Sequence, residues 1–200
     1  AKRVTSIRHE KRHEEQQQIG GFHSLILGGD APKIERMAMS IILEIDARLD
    51  EVMYADEMQR KGNLDYINLL YDSKMTKPMI SAFESSMRVD PTDMPAALRA
   101  GFRAGLRTRI LVDYYKMRAI EIVELNAIPL EPEKAPVHIL NDENLMKLGK
   151  MGEHNYMNPG FMTEIRNMYA GQDFETLAAM RKKIAIKLLP EPASAVPTAF

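Results

Sequence analysis

The chain has no cysteine and no tryptophan in 200 residues, and its basic and acidic residues nearly cancel, at net charge -1. Each shortage excludes something. Without thiols there is no disulfide framework, no Cys-ligated zinc or iron–sulfur cluster and no thiol nucleophile. A near-neutral balance, with pI about 6.6, excludes a wholesale coat for nucleic acid, which needs a strong positive excess over the phosphates. No apolar run approaches the ~20 residues of a membrane-spanning helix, and the opening Ala1-Lys2-Arg3-Val4-Thr5 has no signal-peptide core. The expectation is a soluble, intracellular, unsecreted protein with no membrane partner.

What is present suffices for a packed core. The chain is 45% hydrophobic, enough at this length to bury a sizeable interior. Its apolar choice is unusual, with 15 methionines against 6 phenylalanines. Unbranched thioethers fill irregular gaps, so core filler is the leading reading and an adaptable interface the second.

Residues 1–29 begin as a polar arm in which Lys2, Arg3, Arg8, Lys11 and Arg12 alternate with acids, followed by Phe22 to Leu27 between glycine pairs. Alone, the arm reads as solvated or frayed, and the apolar segment as a short strand or docking piece. Residues 30–126 carry the helical signals. Asp30 and Pro32 open a helix bearing Ile34, Met37, Ile41, Ile45 and Leu49, and two shorter helices follow after Asn63 and Thr76. Pro129, Pro132 and Pro136 make 127–140 a stiff linker, with Val137 to Leu140 a possible short strand. Residues 141–189 form a smaller helical extension, interrupted by a Gly-, Asn- and Pro-rich loop at 152–160, and 190–200 form an extended tail. The fold class expected is mainly α: a helical bundle with one long central helix, a Pro-linked helical extension and extended termini.

The central helix is expected to run from Asp93 to about Asn126. Ala97, Gly101 and Gly105 recur every four residues, as do Leu98, Phe102 and Leu106, and Arg99, Arg103 and Arg107. Steps of about 100° per residue put these rows on three faces. The small-residue row admits a close neighbour, either another helix of the same core or another subunit. The arginine ridge is a solvated face, or a contact for nucleic acid or an acidic partner.

Few constellations suggest chemistry. His9-Glu10-Lys11-Arg12-His13 matches H-E-x-x-H, in which two histidines one helical turn apart share a zinc ion and the glutamate polarises bound water. Its setting in a charged arm favours solvent over metal, and a third ligand such as Glu35 lies beyond several glycines. Glu10 and His13 also fit one half of a di-iron motif that requires two. His154 in its loop has no nucleophile beside it. Gly28-Gly29-Asp30 before a helix lacks the Gly-Lys-Ser/Thr of a phosphate loop and reads as a helix start. No cofactor, metal or catalytic residue is therefore expected.

Asp93-Met94-Pro95-Ala96-Ala97-Leu98-Arg99, opening a helix after an Asp-Pro turn, resembles a passage in the tail-tubular type of phage head-to-tail adaptors. Gly29-Asp30-Ala31 before a long amphipathic helix is similar to the entry to that family's first helix, and the likeness spans about a third of the chain. The resemblance implies a non-catalytic virion subunit in a twelve-membered ring between portal and tail, with portal or tail proteins as partners and a location in the virion or host cytoplasm. Arg99, Arg103 and Arg107 would then lie near DNA if they point inward. The alternatives are a small helical nucleic-acid-binding or DNA-packaging helper and a zinc-dependent hydrolase on His9, Glu10 and His13.

Overall fold

The computed structural model describes residues 2–126 and 135–188, with side chains described from Val4 to Lys182 outside 127–134. Much of the Pro-rich linker and the whole tail at 190–200 lie outside these residues. Among the described residues there are ten helices, α1 (Lys2–Gly20), α2 (Phe22–Leu27), α3 (Lys33–Arg60), α4 (Asp65–Asp72), α5 (Lys77–Val89), α6 (Met94–Arg107), α7 (Arg109–Leu125), α8 (Asp142–Leu148), α9 (Pro159–Tyr169) and α10 (Phe174–Leu188). A two-residue antiparallel pair, β1 (Lys150–Met151) and β2 (His154–Asn155), turns at Gly152, whose φ of +59° suits a residue without Cβ. The mainly α class is as expected, and no described helix is long and apolar enough to cross a membrane.

The 28-residue α3 is the axis of the molecule. Met37, Ala38, Ile41, Ile42, Ile45, Leu49 and Val52 are buried on it, and it meets α1, α4, α6 and α7. Asp30 is not the N-cap of this helix: that position is Pro32, whose carbonyl accepts from Arg36 N–H at 3.0 Å, and the Asp30 carbonyl accepts from Val137 N–H at 2.9 Å. That bond holds residue 137 in an extended connection with no strand pairing. The segment Phe22–Leu27 is helical, with Phe22 and Ile26 buried.

The long helix expected from Asp93 is two helices. Asp93 caps α6 by accepting from Ala96 N–H at 2.8 Å, with Pro95 in the first turn. The break falls at Thr108, whose backbone leaves the helical region at ψ 96° and whose hydroxyl donates to Ala104 C=O at 2.7 Å. A β-branched residue that offers its hydroxyl to the preceding turn competes with the helical ladder, and Gly105 just before it stiffens nothing. The bend lets α6 lie along α5 while α7 returns onto α3.

The small-residue row is packed inside the chain. A Cβ added at Gly101 would stand 2.8 Å from Leu49 Cδ1 and 3.4 Å from Met79 C=O, and one at Gly105 would stand 2.8 Å from Ile45 Cγ2. With Ala97 fully buried, the row seats α6 against α3 and α5, which corrects the expectation of a subunit contact there. The extension shares this core. Ile139, Leu145, Tyr156, Phe161 and Ile165 belong to one cluster with Phe102 and Leu49, and Phe102 meets Phe161 edge-on at 5.7 Å between centroids. Buried Met37, Met39, Met79, Met151, Met157 and Met162 fill its gaps.

Candidate functional site: a histidine cleft between the first and third helices

The arm is a docked helix. Thr5, His9, Arg12 and Gln16 are all buried, and their spacing of four, three and four residues is the stripe of an amphipathic helix written in polar letters. Such a stripe docks only onto partners that satisfy it. α3 supplies them.

Asp46, fully buried, is the hub. It accepts from Arg12 Nε at 2.7 Å, Arg12 Nη2 at 3.2 Å, Gln16 Nε2 at 2.8 Å and Tyr156 Oη at 2.5 Å. Arg12 also donates to Leu148 C=O at 2.9 Å and Lys150 C=O at 3.0 Å, so α1, α3, the end of α8 and the start of β1 are tied at one point. Burial disfavours the Arg12 charge, but Asp46 more than restores it and the guanidinium is held above its ordinary value. Burial and the Asp46 charge push the Tyr156 phenol well up, so it acts as a donor. One turn away, Arg8 Nη2 donates to Asp50 at 3.0 Å, and Arg48 Nη1 donates to both oxygens of Glu51 at 3.0 Å.

Beside this latch, α1, α2, α3 and α7 leave an open cleft of about 530 Å³. Its floor is His9, His13 and Glu44, and Glu10, His23, Arg48, Tyr114, Tyr115 and Arg118 stand around it. His9 Nε2 lies 3.2 Å from His13 Nε2 and 3.3 Å from Glu44 Oε2, and His13 Nε2 lies 3.6 Å from Glu44 Oε1. The rings meet edge to face at 4.7 Å. Burial works against the charged form of His13, but its hydrogen bonds to Glu44 and Gln16 and the charges of Glu44 and Glu10 prevail, and its pKa is raised. Burial likewise opposes the Glu44 charge, yet bonds from His13 and His9 hold it well below the carboxylate range. Burial and then the nearby His13 lower His23. Tyr115, desolvated and close to the Glu44 charge, is pushed up to about 12 and receives a hydrogen bond from Arg48 Nε at 3.1 Å.

The two histidines of H-E-x-x-H thus converge, and their third neighbour is Glu44. Glu35 is elsewhere, accepting from Ile139 N–H at 2.8 Å and Leu140 N–H at 3.1 Å. His9, His13 and Glu44 are the described residues able to hold a metal ion together. Apolar periodicity overlooks this site because the contacting face of α1 is polar. The available signal was the polar row itself, matched by Glu44, Asp46, Asp50 and Glu51 among the apolar residues in the middle of α3.

The arginine ridge sits on another side and is answered within the chain. Arg103 forms a fork on Glu164, with Nε 2.9 Å from each oxygen and Nη2 at 2.7 Å, and stacks over Phe161 at 5.0 Å. Arg107 reaches the same carboxylate at 3.3 Å. Arg99 donates to Tyr156 C=O at 3.4 Å. These contacts bind α6 to α9 and to the residue after β2. Compared with protein-family models, with curated proteins and with solved structures, the chain has no match.

Proposed function

We propose that the protein is a non-catalytic structural subunit of a larger oligomeric assembly and, in the most specific form of this reading, a ring-forming phage head-to-tail connector. The observation that carries the general reading is the outward face of α7. Ile110, Tyr114, Ile122 and Leu125 stand exposed on it, Leu125 by 80%, and steps of about 100° per residue gather all four within an arc of roughly 120°. Arg118 lies in the same arc with its guanidinium against Tyr114 Oη at 3.4 Å, and exposed Leu27 extends the apolar surface across the cleft mouth. Contiguous apolar surface rimmed by polar groups is the mark of a protein contact. Covering it with a second copy removes it from water at about 25 cal/mol per Å².

The small-residue row and the arginine ridge lend this reading nothing, since α3, α5 and α9 already occupy them. The connector form rests on the resemblance of Asp93 to Arg99, where the Asp cap and the proline in the first turn are both in place. The non-catalytic part rests on the same resemblance.

Sedimentation velocity over a wide concentration range tests the proposal. The expected result is a closed oligomer that Tyr114→Asp with Ile122→Asp converts to monomer. A wild-type chain that stays monomeric at every concentration sinks the assembly reading. Electron microscopy of the oligomer then addresses the finer form, which fails if the particles are not rings.

A further inference from the structure

We infer that His9, His13 and Glu44 form a binding site for a divalent transition metal with the preferences of zinc. The first support is geometric. A tetrahedral ion with ligands at about 2.0–2.1 Å has ligand atoms some 3.3–3.4 Å apart. His9 Nε2 stands 3.2 Å from His13 Nε2 and 3.3 Å from Glu44 Oε2, two edges of about that length, while His13 Nε2 approaches the other carboxylate oxygen, Oε1, at 3.6 Å. One ligand atom from each of the three residues lies within 4.8 Å of the others, so a small rotation of the Glu44 carboxylate completes a tetrahedral face, and the cleft provides the open fourth position.

The second support is where the hydrogens must be. Gln16 Nε2 donates to Leu43 C=O at 3.0 Å and to Asp46 Oδ2 at 2.8 Å, which fixes the amide and turns Oε1 toward His13. His13 Nδ1, 2.8 Å from that oxygen, must be the donor, so neutral His13 presents a bare Nε2 to the floor. His9 Nδ1 is buried with no hydrogen-bond partner and lies 3.6 Å from Glu51 Oε1, an acceptor already held by Arg48. A hydrogen on Nδ1 facing that carboxylate leaves His9 Nε2 bare as well. With both rings neutral, two imidazole nitrogens and a carboxylate face one another, and a metal ion can take the place of the proton that His13 and Glu44 otherwise share.

The outer contact of His13 is that of a metal-bound histidine, whose second nitrogen donates to an amide or carboxylate that sets tautomer and orientation. Two nitrogens and one oxygen suit zinc and its neighbours in the first transition row, whereas magnesium and calcium favour all-oxygen shells. Because His9 and His13 lie on α1 and Glu44 on α3, a bound ion also pins the first helix to the axis of the bundle.

Chelator-treated protein of residues 1–200 titrated with zinc sulfate in a calorimeter tests the assignment. One equivalent per chain should bind with micromolar affinity or tighter, cobalt should give the visible absorption of a tetrahedral site, and zinc should raise the melting temperature. Glu44→Gln keeps the size and helix preference of the side chain and should weaken binding by about 100-fold or more, as should His13→Ala, with circular dichroism confirming the fold. His23→Ala is the control, because its ring lies beyond the triad at 5.6 Å from His13 between centroids. No saturable binding to wild type overturns the site. Binding that survives Glu44→Gln and His13→Ala, or that is lost equally in His23→Ala, places any metal elsewhere and overturns it too.

Discussion

Glu164 and Glu44 occupy the same position in two different settings. Each is one carboxylate between the i and i+4 members of a helical row, Arg103 and Arg107 on α6 for the first and His9 and His13 on α1 for the second. Guanidinium is a permanent cation with hydrogens to spare, so the Glu164 cluster is complete as it stands. Imidazole is neutral or charged according to what it meets, and its two nitrogens are assigned by their outer partners. The same spacing therefore gives a closed structural clasp on α6 and an unfinished donor set on α1. Conspicuous charge in a sequence points to the clasp, while the chemistry lies with the quieter pair.

The comparison depends on α1 being held in place, and the largest expected effect comes from releasing it. Asp46→Ala leaves the buried Arg12 guanidinium with only the half-exposed Glu15 as a carboxylate partner and removes an acceptor of Gln16 and Tyr156. Removing one partner of a buried pair costs about 3–5 kcal/mol. Denaturant unfolding should show that loss, and zinc should no longer raise the melting temperature. A loss under 1 kcal/mol would mean that α1 is not fastened through this residue.

How much of this was legible follows from what each element uses to fold. The caps at Asp93, Asn141 and Asp173 accept backbone N–H groups as their residue types predict, and the apolar rows of α3 and α6 face the core. Those signals are local. The docking of α1 is not, because its buried stripe is Thr5, His9, Arg12 and Gln16 and the partners of this helix lie from 27 to 138 residues away. Hydrophobic periodicity assigns such a stripe to solvent, since it weighs residue type and not the partner that neutralises it. The break at Thr108 was equally hidden: three four-residue rows ran up to it, and only the packing of α7 back onto α3 makes the bend worth the ladder bonds it interrupts.

A smaller effect, with a distinctive pH signature, separates the two carboxylates. Glu44 is lowered from its ordinary 4.5, so its share of stability is present above that pH and is lost as pH falls through the lower folded value. His13 is raised from 6.5, so its share is complete below 6.5 and is lost as pH rises through the higher folded value. In metal-free protein, the stability gap between wild type and Glu44→Gln should be widest between about pH 4.5 and 6.5 and narrow above it. Zinc should reopen the gap at higher pH, where the ion binds the deprotonated histidines. A gap flat from pH 5 to 9 without metal would show that Glu44 and His13 do not depend on one another's charge.

The smallest effects belong to the clasp, and they distinguish its two arms. Arg103 engages Glu164 in a fork and covers the face of Phe161, so Arg103→Ala removes both an ion pair and apolar cover. A loss of about 1 kcal/mol is expected, near the top of the range for partly exposed pairs. Arg107 reaches the same carboxylate with a side chain 70% exposed, where solvent and salt screen the attraction, so Arg107→Ala should change stability by less than about 0.5 kcal/mol. A double-mutant cycle with Glu164→Gln measures both couplings, and raising the salt should reduce that of Arg107 further. If Arg107 proves the stronger partner, charge alone governs the clasp and the stacking on Phe161 contributes nothing. If Arg103 does, the ridge is one packed arginine and one solvated one, and α6 owes its hold on α9 to the fork.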